Sequence, residues 1–148
     1  QSELRMAEEA LQRGLAANSN SLTLKTSLAR LYTQQGANGS ALRVYDAILR
    51  DQPNLVSVLF AKASIHDLTG DKKQSQSLYE TILSIDENYV PALNNLAMLL
   101  MDVYVDNKRA LELASKGFRF QPNDSSIIDT LGYALLKNNQ IDKAIPFL

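Results

Sequence analysis

The chain repeats itself with a period of about 34 residues, and this internal repeat constrains its fold more than any other feature. The segment SLARLYTQQGANGSA reappears as AKASIHDLTGDKKQS, as NLAMLLMDVYVDNKRA and as TLGYALLKNNQIDKA. The motif QPN marks the same point in two copies, at Pro53 and Pro122, and the third copy holds one extra residue. A repeat of this length is one supersecondary unit that buries its apolar face only against its neighbours.

Small residues recur at fixed places in every copy. They are Ala29, Ala63, Ala97 and Gly132 in the first helix of each unit, and Ala41, Ser75, Ala110 and Ala144 in the second. Four residues after each of the second set comes a larger residue, at Tyr45, Tyr79 and Leu148, with Ala114 as the weak copy. Helices approach closely only where one side lacks bulk. Gly132 therefore reads as a contact residue whose cost of about 1 kcal/mol within a helix is offset by packing.

These residues resemble the tetratricopeptide repeat, whose unit carries W-x2-L-G-x2-Y, then A-x3-F, then P. The first full copy supplies Leu28, Ala29, Tyr32, Ala41, Tyr45 and Pro53, and the last supplies Leu131, Gly132, Leu135, Ala144 and Leu148. No copy has the Trp, Lys62 replaces the first Leu, Glu87 replaces a Pro, and the turn at Val103 to Asp106 holds the extra residue. The resemblance covers essentially the whole chain and implies an all-α, right-handed superhelical solenoid of antiparallel helix pairs.

The phase of the repeat predicts one array over residues 1–148. Residues 1–21 form the second helix of a partial repeat, residues 22–55, 56–89 and 90–124 form full repeats, and residues 125–148 form a truncated repeat. The predicted helices are Glu3 to Ala17, Leu22 to Gln34, Asn38 to Arg50, Val56 to Leu68, Lys72 to Ser84, Val90 to Asp102, Asn107 to Arg119, Ser125 to Lys137 and Ile141 to Leu148. Gly36 and Gly70 suit helix C-termini, Asp71 and Asn123 suit N-caps, and Pro91 suits a first helical turn. Pro146 is expected to kink or shorten the last helix. Half units at both ends indicate a piece of a longer array.

Nothing in the sequence predicts catalysis, a cofactor or a metal site. There is no Cys, and a lone His66 without Cys cannot build a structural zinc site, so we interpret His66 as an interhelix packing residue. The acidic pairs Glu8-Glu9 and Asp86-Glu87 read as solvated surface. The common phosphate-binding, acyl-transfer and zinc-hydrolase motifs are missing from the sequence.

Charge and hydrophobicity narrow the classes of partner. A formal net charge of -1 argues against nucleic acid and anionic membranes, and no apolar run reaches the ~18 residues of a membrane span. We therefore expect a protein or peptide ligand, no nucleic acid and no membrane insertion by this segment. Exposed apolar ends also predict end-on homo-oligomers.

The resemblance implies a binding face, because the first helices of tetratricopeptide repeats line the concave side of the solenoid. The positions transferred by register that we expect to contact a peptide are Arg30, Phe60, Ser64, Asp67, Asn94, Asn95, Met98, Met101, Asp129, Tyr133 and Leu136. Asn94 and Asn95 are suited to hydrogen bonds with a peptide backbone, and the Met and aromatic residues to adaptable apolar recognition. The alternative is that Met98 and Met101, the Met pair, only pack against neighbouring helices. The Lys, Asn and Arg clamp of the chaperone-tail subtype is not present at the matching positions, so binding to chaperone tails is not expected.

The leading hypothesis is thus a non-enzymatic protein–protein interaction module. One alternative is a self-associating scaffold of a larger assembly, and another is the substrate-recruiting arm of an enzyme whose catalytic domain lies outside this chain. A weaker resemblance, to bacterial tetratricopeptide lipoproteins of envelope and exopolysaccharide systems, implies an extracytoplasmic bacterial setting. A cytoplasmic location stays open as well.

Overall fold

Every regular element between residues 2 and 147, the part of the chain that the computed structural model describes, is helical. The all-α prediction is thereby confirmed. The α-helices are α1 (Ser2–Ala17), α2 (Leu22–Gln34), α3 (Asn38–Asp51), α4 (Val56–Leu68), α5 (Lys72–Ile85), α6 (Val90–Leu99), α7 (Asn107–Phe120), α8 (Ser125–Lys137) and α9 (Ile141–Ala144). A π-turn (Leu100–Tyr104) follows α6 and a 3-10 turn (Ile145–Phe147) follows α9. The chain forms two compact units, of which the first ends at Thr69 and the second begins at Gly70.

The first unit packs its three antiparallel neighbours α2, α3 and α4 around small residues. Ala29 and Ala41 are fully buried, and they share one core with Tyr45, Ile48 and Val58. An alanine on each facing helix lets the backbones approach, and the larger residues fill the remaining space. The role predicted for these two positions is confirmed.

The second unit repeats this packing with α5 to α8. Tyr79, Ile82 and Leu96 are among its fully buried side chains, and Ala97, Ala110 and Ala144 are buried as the repeat predicts. Gly132 is buried within α8. The predicted contact between Ala144 and Leu148 lies outside the described residues.

The helix ends follow the turn chemistry of the sequence closely. Gly36 and Gly70 adopt positive φ after α2 and α4, the left-handed conformation that glycine adopts at little cost. Asp71 caps α5 by accepting a hydrogen bond from the backbone N–H of Gln74. The cap of α8 is Asp124, and the expectation for Asn123 was one residue off. The last helix stops at Ala144, two residues before Pro146, because proline cannot continue the hydrogen-bond ladder.

The extra residue of the third repeat is absorbed by the π-turn. The α-helix predicted to reach Asp102 ends at Leu99, and a wider turn of π geometry carries the chain on to Tyr104. The backbone N–H groups of Val105 and Asp106 both donate to the carbonyl of Leu100, the second at 3.0 Å. A π-turn takes up one residue more per hydrogen bond than an α-turn, so α7 resumes in phase with the repeat.

The π-turn leaves Val105, the residue that follows it, strained, because Val105 adopts φ 56° in the left-handed region. A β-branched side chain is disfavoured there by roughly 1–2 kcal/mol, whereas glycine is not. The side chain is 72% exposed and contributes little burial.

Val105→Gly should therefore raise the free energy of unfolding by about 1 kcal/mol, measured by urea titration. Val103→Gly is the matched control and should lower stability, because Val103 lies inside the π-turn without positive φ. Equal destabilisation by both variants would show that Val105 is unstrained.

The contact between each second helix and the following first helix is governed by matched volumes. At one register position the second helices carry Gly14, Ile48, Ile82 and Gly117, and the residues ten later are Leu24, Val58, Ala92 and Ile127. A Cβ added to Gly117 would lie 2.7 Å from Cδ1 of Ile127, and one added to Gly14 would lie 3.0 Å from Cδ1 of Leu24. Glycine thus faces the bulky partners, and isoleucine occurs where the partner is smaller.

This complementarity predicts strong coupling between Gly117 and Ile127 in a double-mutant cycle. Ile127→Val alone removes Cδ1 and should cost about 0.5–1.5 kcal/mol. In the Gly117→Ala background the same change relieves the 2.7 Å approach, so it should cost less or stabilise. The expected coupling energy exceeds about 0.5 kcal/mol, and additive effects within about 0.3 kcal/mol would contradict the packing account.

Candidate functional site

A groove of about 400 Å³ lies between α2 and α4 in the first unit. Its lining residues are Thr23, Thr26, Ser27, Arg30, Tyr45, Ser57, Val58 and Ala61. Of the predicted contact residues, only Arg30 lies in this groove, where it is exposed and supplies the charge. The groove can accept a chain with hydrogen-bonding groups and an acidic side chain.

Helix geometry fixes the hydroxyl groups beside this groove. Thr26 Oγ1 donates to the carbonyl of Leu22 at 2.9 Å, so its oxygen lone pairs remain as acceptors for other donors. Tyr45 is buried at the groove floor, and burial raises the pKa of its phenol, although Thr33 and Arg30 partly oppose the shift. The phenol therefore stays neutral at physiological pH.

Phe60, Ser64 and Asp67 share one face of α4 and are half-buried. Ser64 Oγ donates to the carbonyl of Phe60 at 3.0 Å. Their spacing of four and three residues places them along one stripe of the helix. The structure thus brings these three predicted residues together, outside the lining of the α2–α4 groove.

A second groove, of about 220 Å³, lies between α6 and α8 in the second unit. Asn94 and Asn95 line it from α6, and Ser126 from α8. Register relates Asn94 to Thr26, and Ser126 to Ser57, so the same type of groove occurs once in each unit. Both predicted Asn residues therefore lie where a groove is present.

A chain of hydrogen bonds orients the two asparagines. Asn94 Nδ2 donates to Asn95 Oδ1 at 3.3 Å, and Asn95 Nδ2 donates to the Tyr79 hydroxyl at 3.1 Å. Among the described residues Asn94 Oδ1 has no hydrogen-bond partner. A buried acceptor without a donor is costly, and a ligand N–H would relieve that cost after a small rotation of the amide. The role of Tyr79 as an anchor is not visible in the sequence, because the register of Tyr79 predicts only packing.

A smaller cluster surrounds Tyr133 further along the same unit. The Tyr133 hydroxyl donates to Asp102 Oδ1 at 3.4 Å, and the Lys137 ammonium lies 5.1 Å from the ring centroid. Met98 is half-buried and Leu136 is 36% exposed. Asp129 is exposed on α8. Met98, Tyr133 and Leu136, three residues of the predicted apolar patch, are thus each at least partly exposed.

Met101, one of the predicted contact residues, is not accessible to a ligand. It is 2% exposed and packs in the core, so the expectation of a ligand contact at this position is not met. The register transfer assumed α-helical geometry, whereas Met101 lies in the π-turn, whose wider turn changes the direction of its side chains. The alternative of packing holds for this member of the Met pair.

Metal binding and membrane crossing were the two other roles for which residues 2–147 could hold a structural signal. That region holds no cluster of three or more His, Cys, Asp or Glu side chains arranged for a metal ion. No helix there combines the length and apolarity that a membrane crossing needs. His66 is half-buried in the last turn of α4.

Tyr79→Phe tests whether Tyr79 anchors Asn95. Tyr79 is fully buried, and the change leaves the Asn95 amide without its acceptor, which should lower the free energy of unfolding by about 1 kcal/mol. The Asn95 side-chain amide resonance should also move in NMR spectra. Tyr104→Phe, at an exposed position, is the control and should change stability little. Unchanged stability and an unmoved Asn95 resonance in Tyr79→Phe would refute the anchoring.

Comparison with known proteins identifies the repeat directly. Residues 56–89 match the family model described as tetratricopeptide repeat. The chain is 29% identical over 86 residues to human Superkiller complex protein 3, and this alignment covers 58% of the chain and 6% of that protein. It is 25% identical over 143 residues to the human protein O-mannosyl-transferase TMTC1, covering 94% of the chain and 16% of that protein. The chain thus spans only a small part of the curated relatives it matches.

Solved structures show the same fold over nearly the whole chain. A crystal structure of MamA superposes with a TM-score of 0.82 at 16% identity, covering 99% of this chain and 85% of that one. YrrB, described as a TPR protein with an unusual peptide-binding site, superposes with a TM-score of 0.80 at 17% identity, covering 95% and 72%. At these identities the likeness shows the fold, an α-solenoid of tetratricopeptide repeats.

Proposed function

Because the chain belongs to the tetratricopeptide repeat family, we propose that it is a non-catalytic module that binds a peptide or protein segment on the face of its first helices. Protein–protein interaction is the general role of these repeats. The observation that carries the proposal is the groove between successive first helices, which occurs between α2 and α4 and again between α6 and α8. A whole protein that contains this chain can carry other activities elsewhere.

The chemistry of the grooves suits an extended peptide. A peptide backbone presents N–H and C=O groups that need partners, and Asn side chains offer both donors and acceptors. Asn94 Oδ1 is an acceptor with no partner in the described structure, and Asn95 is held in place by Tyr79. An anchored side chain loses little entropy on binding.

Specificity is then set by the side chains beside each groove. In the second unit Met98, Tyr133 and Leu136 offer an apolar surface for one or two apolar ligand side chains. In the first unit Arg30 favours an acidic ligand residue. The likeness to YrrB supports the choice of a peptide ligand, since that protein is described as having a peptide-binding site.

The test uses a displayed library of random peptides selected on the whole chain. The Kd of a selected peptide should weaken at least about tenfold in Met98→Glu, because a charge replaces a desolvated apolar contact. Met6→Glu is the matched control, since Met6 is an exposed methionine on α1 and should leave the Kd unchanged. Asn94→Ala should also weaken binding through the lost amide.

Circular dichroism must show equal helix content in all variants before their affinities are compared. A Kd that is unchanged in both Met98→Glu and Asn94→Ala would place the peptide elsewhere and overturn the proposed face. Equal weakening in Met6→Glu would show a nonspecific charge effect.

Self-association is a second candidate, favoured by exposed apolar residues. Leu4 and Met6 are exposed on α1, and Ile141 and Ile145 are exposed at and after α9. Surfaces of this kind are often covered by a partner. A mass that rises with protein concentration in light scattering, together with failure to select any peptide, would favour this scaffold over the peptide module.

The likeness to a protein O-mannosyl-transferase keeps the recruiting arm of an enzyme as a third candidate. In that arrangement the same face would bind the substrate of a catalytic domain outside this chain. The activity of the full-length protein, measured with and without the Met98→Glu change, would separate this role from binding alone.

A further inference from the structure

The first unit contains another cavity, of about 370 Å³, between α1, α2 and α3. It is distinct from the α2–α4 groove, because the two have no lining residue in common. Its apolar wall is formed by Leu15, Leu28, Val44 and Ala47, and two cationic side chains, Lys25 and Arg43, also line it. This volume lies within the range of small-molecule sites.

Comparison with the second unit shows why this cavity is open. In the second unit, the groove at the same register is bridged by Arg109 and Glu80, 2.7 Å apart, and by Lys116 and Glu87, 3.3 Å apart. Both ion pairs join residues of α7 to α5 or to the turn that follows it.

The first unit has short or uncharged side chains at these four places. Ser40 and Gln12 correspond to the first pair, and Ala47 and Ser19 to the second. No ion pair can form between such residues, so the groove is not bridged there. The open groove therefore follows from the residues that this one repeat has at the four positions.

Lys25 is the least expected residue of the cavity. Leu59, Leu93 and Ile128 occupy the same register in the later repeats, and the first two are buried core residues. The Lys25 side chain is only 21% exposed, so a charged group stands where three sister repeats have an aliphatic one. A half-buried cation at a core position calls for a compensating anion.

The charged groups around Lys25 leave this need largely unmet. Its nearest acid is Asp51 at 3.9 Å, and that carboxylate is mostly exposed, so the pair is weak. Glu8 of α1 accepts hydrogen bonds from Tyr32, Gln12 and Gln35, so its carboxylate is already engaged. Arg43 donates to Ser40 Oγ, a neutral acceptor. The balance in the cavity is positive.

We propose that this cavity binds a single-chain amphipathic carboxylate, a medium-chain fatty acid, with its head at Lys25 and its tail along Leu15, Leu28 and Val44. A carboxylate in the cavity supplies Lys25 with a closer anion than the exposed Asp51, which lies 3.9 Å away. An alkyl chain covers the apolar wall, which gains from removal of water. The site is independent of the peptide face, since none of its residues belongs to that face.

The test measures decanoate binding by isothermal titration on the whole chain. Decanol, with the same tail and a neutral head, should bind at least about tenfold more weakly than decanoate. Lys25→Leu installs the residue that the sister repeats use, so it should fold and should weaken decanoate binding by at least about tenfold. Lys62→Leu, at a half-buried lysine of the same unit outside the cavity, is the control and should bind decanoate as the parent does.

A double variant, Ser19→Glu with Ala47→Lys, closes the groove by rebuilding the Glu87–Lys116 pair of the second unit. It should abolish decanoate binding while keeping helix content and peptide binding. No heat of binding with decanoate up to about 1 mM, a weak limit for a useful site, would overturn the proposal. Equal affinity for decanol, or undiminished decanoate affinity in Lys25→Leu or the closed variant, would overturn it as well.

Discussion

The structure depends on the close approach of each second helix to the first helix that follows it. Gly117 against Ile127 and Gly14 against Leu24 show how the approach is achieved, with no side chain on one helix and a full aliphatic side chain on the other. A repeat helix cannot bury its apolar face alone, so these contacts carry the stability of the array. They also set the distance between successive first helices, and that distance determines the width of the grooves. The binding surface is therefore a consequence of packing at positions that never touch a ligand.

The sequence predicted this architecture well because the repeat is sampled four times. Small residues recur at fixed register, and α2, α4 and α8 begin and end where the repeat places them. One feature was located but not interpreted, namely the extra residue near Val103. Sequence spacing shows that a residue is inserted, but not whether a loop or a π-turn absorbs it, because that depends on whether Leu100 can accept two backbone N–H groups. The burial of Met101 follows from the same turn and was missed for the same reason.

The candidate site was only partly predictable. Register correctly brought Asn94 and Asn95 to a groove, since helical periodicity alone fixes which side of α6 they occupy. Register could not reveal the anchor at Tyr79, because a tyrosine at a packing position serves equally well without a hydroxyl partner. The cavity beside Lys25 was also missed. It can be recognised only from the structure, in which the Arg109–Glu80 ion pair bridges the equivalent groove of the second unit.

The central claim is that a peptide engages the asparagines of the α6–α8 groove, and side-chain amide NMR tests it most directly. Titration with a selected peptide should shift the amide resonances of Asn94 and Asn95. Asn107 and Asn138 serve as internal references, because Asn138 Nδ2 already donates to the Asn107 carbonyl away from the groove. Saturable shifts confined to Asn94 and Asn95 are the result that the account predicts. Shifts at Asn107 and Asn138 with Asn94 and Asn95 unmoved would contradict it.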